Sequence, residues 1–278
     1  MKIARVFPHR TNATPVDDLS FIGHPDLFAY HQEIDKVHIS VTFSWDIPMA
    51  EWLAKLWKDI APIEIGGPAT GERGGDFVPG MYLKEGYVIT SRGCPNRCWF
   101  CSVWRREGEE LRELPITDGW IIQDDNLLSC SEKHIRDVFA MLARQKNRPI
   151  FSGGLEARKL QKWHVEELLI LKPEKIFVAY DTPDDRDPLF EAGKLFLDNG
   201  FSRKSQSLRC YVLIGYPGDT FEKAEKRLNE AMQAGFIPFA MPYRDYTGKR
   251  DEQWIKFSWP WMRPAAMSKK YREAGVPV

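Results

Sequence analysis

The sequence predicts an α/β protein built on a parallel sheet. Two observations carry this. From residue 87 onward, short apolar runs alternate with helical patterns about six times, and before that the chain runs through one β-α-β unit. Composition agrees: 278 residues with 43% hydrophobic side chains, including 10 Trp, 16 Phe and 9 Tyr, supply a sizeable core. That content excludes a disordered chain and a mini-protein stapled by disulfides.

The elements follow in order. Residues 37–43 alternate, with Val37, Ile39, Val41 and Phe43 apolar and His38, Ser40 and Thr42 between them, which is the period of a strand. A helix follows, with Pro48 in its first turn and Met49, Trp52, Leu53, Leu56 and Ile60 as its apolar stripe. Ile63 and Ile65 make a short strand that ends in Gly66-Gly67-Pro68, and 70–80 reads as a linker or boundary loop. Further strands are expected at 87–90, 120–123, 149–152, 175–180, 210–215 and 237–240. A capping box at Ser129 and Glu132 opens one helix. Another spans 163–171 before Pro173, a third runs from near Pro188 to Gly200, and a fourth begins after Thr220. Six such units suit an incomplete barrel or an open doubly wound sheet. From Arg244 the chain changes character, with Trp254, Trp259, Trp261, Pro260 and Pro264. These tryptophans read either as cover for an open barrel or as a stacking surface for a substrate ring, with cover preferred.

Lys+Arg and Asp+Glu both number 39, so no global basic field draws the chain to nucleic acid or a membrane. No apolar run approaches the ~20 residues that span a bilayer. The opening MKIARVFPHR lacks the apolar region of a signal peptide, so the expectation is a soluble, cytoplasmic protein. Five cysteines, three of them crowded, fit a metal site in a reducing compartment better than a disulfide framework.

The crowded three are Cys94, Cys98 and Cys101, spaced C-x3-C-x2-C after the strand at 87–90. Three thiolates on a short loop can ligate three irons of a [4Fe–4S] cube. With no fourth cysteine nearby, one iron is left as a coordination site. A zinc knuckle with a remote fourth ligand is the competing reading. Cys130 and Cys210 read as buried small hydrophobes.

With Phe100 directly before the third cysteine, the motif resembles that of the radical S-adenosylmethionine (radical SAM) superfamily, over roughly residues 85–243. The resemblance implies a partial parallel (β/α)6 barrel preceded by a small Rossmann-like β-α-β unit. The chain then divides into a reduced Rossmann-like unit (1–80), a radical SAM core (81–243) and a Trp-rich extension (244–278). The implied cofactors are a [4Fe–4S] cluster and S-adenosylmethionine (SAM). The open iron chelates the methionine end of SAM, and one electron cleaves the sulfonium to methionine and a 5′-deoxyadenosyl radical, which takes a hydrogen from substrate. A flavodoxin- or ferredoxin-type electron donor is implied as partner.

Ligands of parallel α/β folds sit at the C-terminal strand ends. Those ends carry Asp124, Asp125 and Asn126; Gly153, Gly154, Glu156 and Arg158; Asp181; Gly215; and Pro242. By resemblance, Gly215 lies in the motif whose backbone packs on adenine. Asp124–Asn126 is the polar cluster that meets the SAM amino group or the substrate, or else a turn that caps the next helix. Glu156 and Arg158 are assigned to the ribose hydroxyls and the SAM carboxylate, or else to a local ion pair. Gly153-Gly154 reads equally as a tight turn. Arg92 and Arg97 either tune the cluster electrostatically or are solvated. Tyr243 and Cys210 are candidate hydrogen donors.

Residues 37–69 also resemble part of the cobalamin-binding domain that precedes many radical SAM cores. The D-x-H-x-x-G motif that ligates cobalt is absent, so a remnant serving packing is expected. Two other function classes stand beside the enzyme: a non-catalytic iron–sulfur redox or sensor protein, and a zinc-stabilised binding module. No auxiliary cysteine set follows the core, and the substrate is open among nucleotides, tRNA and peptides.

Overall fold

The computed structural model describes residues 1–262, 267, 270 and 271. The expected extension over 244–278 therefore falls partly outside the described residues, Pro264 included. The chain forms two compact units. One comprises residues 1–119 with 246–248, and the other 120–245 with the described residues from 249 onward.

The first unit opens on a four-stranded parallel sheet. Its strands are β1 (Ile3–Phe7), β2 (Ser20–Ile22), β3 (Lys36–Ser40) and β4 (Ile63–Gly66), in the order β2-β1-β3-β4. This order reverses at β1, as in Rossmann-like sheets. Sequence reading anticipated β3, β4 and the helix between them, but not β1, β2 or the short helix α1 (Leu27–His31). The obstacle in β1 is Arg5, which reads as a solvent residue. It is buried because its guanidinium donates to the carbonyls of Gly80 and Met81 at 3.1 and 3.0 Å and pairs with Asp17.

Helix α2 (Ile47–Trp57) carries Pro48 in its first turn, as expected. Its buried face is Ala50, Leu53 and Trp57, whereas Met49 and Trp52 are exposed, which corrects the expected stripe. Trp57 anchors the core edge-on to Phe21, with its indole N–H donating to the Gly23 carbonyl at 3.0 Å. Full burial of such a side chain contributes roughly 1.5–3 kcal/mol. The unit continues through β5 (Tyr87–Val88), β6 (Ser91–Arg92), helix α3 (Val103–Arg106) and β7 (Arg112–Glu113). Strands β6 and β7 pair antiparallel.

In the second unit β8 (Ile121–Ile122), β9 (Ile150–Phe151), β10 (Lys175–Ala179), β11 (Leu208–Ile214) and β12 (Ile237–Pro242) lie side by side in sequence order, every neighbouring pair parallel. Helices α4 (Glu132–Ala143), α5 (Lys162–Leu171), α6 (Arg186–Asp198) and α7 (Phe221–Ala234) make the crossovers. The α/β class with parallel sheets is thus present in both units. The order β8 to β12 contains no reversal, which a doubly wound sheet requires.

One local reading changes, and another holds at Thr220. Helix α4 is capped by Ser131, whose side chain accepts from the His134 amide, while Ser129 closes a preceding 3-10 turn. The cap therefore lies two residues beyond the expected box. Thr220 caps α7 through the Lys223 amide. Strand β11 alternates: Cys210, Val212 and Ile214 are buried, and α7 packs on β11 and β12. Its other face holds Tyr211 stacked on Phe177 at 4.2 Å and edge-on to Phe239. Beyond β12, helix α8 (Glu252–Ser258) is capped by Asp251. Trp261 is buried, and Trp259 is exposed. No described helix is long and apolar enough to cross a membrane.

Candidate functional site

In the first unit, β6 delivers the chain to the cysteine loop through Gly93. Gly93 has φ +91°, and a Cβ there would run into the Glu110 carbonyl, so only glycine makes this entry. The Cys94 amide donates to the Gly108 carbonyl at 3.2 Å and the Cys101 amide to the Cys98 carbonyl at 3.1 Å. The loop is therefore closed at its start and turned at its end. Trp104 donates its indole N–H to the Cys98 carbonyl at 3.0 Å, and Arg105 donates to the Cys101 carbonyl at 3.0 Å while stacking over Trp104. Phe100 packs edge-on against Trp99.

Cys94, Cys98 and Cys101 are all partly exposed, and none is in a disulfide. The Val103 amide lies 3.5 Å from the Cys101 sulfur, an N–H···S contact. Among the described residues no three Cys, His, Asp or Glu side chains close on a single metal ion. A cube is a different demand, because each thiolate binds its own iron at a separate corner. Three half-buried thiols on one braced loop are a donor set of that chemistry.

In the second unit, the residues expected to hold SAM lie at or just past the C-terminal ends of β8 to β12. After β8, Asp124 and Asn126 are buried and Asp125 half-buried. Asn126 donates through Nδ2 to Glu156 at 2.7 Å, so the β8 and β9 ends are joined. Gly153 packs directly on the Asp124 backbone, and a Cβ there would collide with it. After Gly154, the Leu155 amide donates to the Phe177 carbonyl at 2.7 Å. Glu156 and Arg158 do not form the local ion pair left open by the sequence. Arg158 instead donates to the Asp184 carbonyl at 2.9 Å and the Asp185 carboxylate at 3.0 Å.

Asp181, past β10, accepts from the Leu213 amide at 3.1 Å. Burial and the charge of Asp185 raise its pKa from 3.8 to about 7. At the end of β11 the Gly215 amide donates to Asp219 at 2.8 Å. Asp219 is itself clamped bidentately by the buried Arg227 at 3.1 and 2.7 Å. Pro242 pairs with Ile214 in register on β12. Of the candidate hydrogen donors, Cys210 is fully buried and its thiol is pushed well above its ordinary pKa by burial.

Two groups, Glu107 and Tyr211, escaped sequence reading, and Trp254, read as cover, has a partner that was not foreseen. Glu107 is buried among arginines in the segment that follows the cysteine loop. Trp254 packs on Gly215. Tyr211 hydrogen-bonds to the Ser152 carbonyl at 3.3 Å. Only Tyr211 left a signal, the alternation of Arg209, Tyr211 and Leu213 along β11. Compared with known proteins, the chain matches no family model and no curated protein.

Proposed function

We propose that this chain is a radical SAM enzyme. In this reading residues 81–243 form a partial parallel (β/α)6 barrel that holds a [4Fe–4S] cluster on Cys94, Cys98 and Cys101 and binds SAM at its strand ends. The observation that carries the reading is the loop 94–101, which sets three thiols at C-x3-C-x2-C, with Phe100 before the third, directly after β6. The unreversed order of β8 to β12 supports the barrel over an open doubly wound sheet, because right-handed crossovers then put every helix on one face. The buried polar groups at successive strand ends support a ligand site there.

When bound, the cluster and SAM supply a reductive cleavage that yields methionine and a 5′-deoxyadenosyl radical, which abstracts hydrogen from the substrate. The chain's own residues bind and orient. Asn126 holds one carboxylate oxygen of Glu156 and leaves Oε1 to accept from ribose hydroxyls. Asp184 and Asp185 anchor one nitrogen of Arg158, so the rest of its planar fork can meet a carboxylate. Gly153 brings the β9 end against Asp124, and Asp219 fixes the Gly215 backbone. Asp181, titrating near neutrality, can hold or accept a proton. The reading requires a one-electron donor of the flavodoxin or ferredoxin class. The substrate remains a nucleotide, a tRNA or a peptide, and residues 1–80 serve as a Rossmann-like unit without cobalamin.

The test is anaerobic iron–sulfur reconstitution, reduction, addition of SAM and mass spectrometry for 5′-deoxyadenosine and methionine, with Cys98→Ala alongside. The expected result is 5′-deoxyadenosine from the wild type and none from Cys98→Ala. A wild-type chain that binds zinc but neither a [4Fe–4S] cluster nor SAM overturns the reading.

A further inference from the structure

Arg92 on β6 and Arg112 on β7 are register partners in the two-stranded antiparallel ladder. Like charges directly opposite one another destabilise such a pair. The counter-charge is Glu107, only 1% exposed. Arg112 donates to its Oε2 at 2.7 Å and Arg106 to its Oε1 at 3.0 Å, and Arg92 stands 3.7 Å from Oε1. The Gly74 amide reaches both oxygens, at 3.3 and 3.1 Å. Two of the guanidiniums are tied a second time, Arg92 to the Gly75 carbonyl at 3.1 Å and Arg112 to the Gly74 carbonyl at 2.9 Å. Three guanidiniums against one carboxylate leave two net positive charges, fixed and largely shielded from solvent.

This hub is stitched to the cysteine loop at both ends. The Glu107 amide donates to the Val103 carbonyl at 2.7 Å, in the helix that follows Cys101, and the neighbouring Gly108 carbonyl accepts from the Cys94 amide. Arg97, inside the loop, is different. It is mostly exposed and paired with Glu109 at 2.7 Å, where water and salt screen it.

We propose that Glu107, with Arg92, Arg106 and Arg112, is a positioning group that fixes positive charge beside the Cys94–Cys98–Cys101 loop and raises the reduction potential of the cluster bound there. The inference rests on the cluster reading above. An added electron makes the cluster more negative, and a fixed positive charge in poorly solvated surroundings favours that state. Removing the carboxylate makes the hub more positive, whereas removing a guanidinium makes it less positive. A purely structural hub has no reason to move the potential in opposite directions.

The experiment is an EPR-monitored redox titration of the reconstituted full chain, with iron content measured in parallel, for wild type, Glu107→Gln, Arg112→Gln and Arg112→Lys. The expected result is a potential shifted up in Glu107→Gln, down in Arg112→Gln, and returned close to wild type in Arg112→Lys. If Glu107→Gln does not fold, the Arg112 pair decides, since Arg112 is the most exposed of the three arginines. Unshifted potentials, shifts of one sign, or a loss of iron in Arg112→Gln that Arg112→Lys does not restore overturn the proposal. Iron lost in Arg112→Gln and restored in Arg112→Lys would mark a merely structural hub and overturns it as well. A wild-type chain that takes up no [4Fe–4S] cluster instead overturns the cluster reading itself.

Discussion

The indole of Trp254 lies against Gly215: a Cβ on Gly215 would stand 2.6 Å from Cγ and Cδ2 of that ring. Gly215 also has φ +73°, so two independent constraints meet at one residue. Trp254 is held in turn by Phe221 at the start of α7 and by Phe257 on its own helix, with ring centroids at 4.4 and 5.6 Å. Helix α8 thereby braces the end of β11, the strand end that the resemblance assigns to adenine.

Gly215→Ala is therefore expected to destabilise the fold in two parts. The left-handed backbone costs roughly 1–3 kcal/mol for a residue with a Cβ, and overpacking against the indole adds roughly 1–3 kcal/mol. Urea denaturation of Gly215→Ala in the wild-type and Trp254→Ala backgrounds separates them. The overpacking part should vanish without the indole while the backbone part remains. An equal cost in both backgrounds would mean that the ring does not press on Gly215.

Much of the second unit was legible because its signals are local. Each strand from 120 to 240 is a short apolar run, and the helices carry their own stops and caps, such as Thr220 before α7. The cysteine loop was legible as spacing alone. What escaped depends on distant partners. Arg5 makes β1 look exposed until its guanidinium finds Gly80, Met81 and Asp17. Glu107 sits in a Glu-Gly-Glu-Glu run that reads as a solvated charge cluster, yet it is buried because Arg92, Arg106 and Arg112 converge on it. Trp254 read as cover for the barrel, and nothing local in the sequence ties it to a glycine 39 positions earlier.

Asp181 should make stability fall as pH rises. Its folded pKa, about 7, lies above its unfolded 3.8, so the folded state holds the extra proton between these values. The contribution is fully present below about 3.8 and is lost as pH rises through about 7. The shift corresponds to roughly 4 kcal/mol. Asp181→Asn keeps an oxygen for the Leu213 amide but cannot ionise. Its denaturation midpoint should exceed that of the wild type at pH 8.5 by more than at pH 5. A difference that does not depend on pH would show that Asp181 is not the titrating group.

His164 should act in the opposite direction. Its Nδ1 accepts from the Gln161 amide at 3.0 Å, and burial lowers its pKa from 6.5 to about 4. The unfolded chain therefore binds the extra proton between about 4 and 6.5, so this contribution is present above 6.5 and is lost as pH falls through that window. The loss amounts to roughly 3 kcal/mol once the pH is below both values. His164→Asn supplies a non-titrating acceptor of similar reach for the helix cap. It should cost stability at pH 7.5, through lost packing against Trp163, and less at pH 4.5, where the wild type has already lost most of the histidine's contribution. If the variant's deficit is the same at both pH values, the acid sensitivity of the unit arises elsewhere.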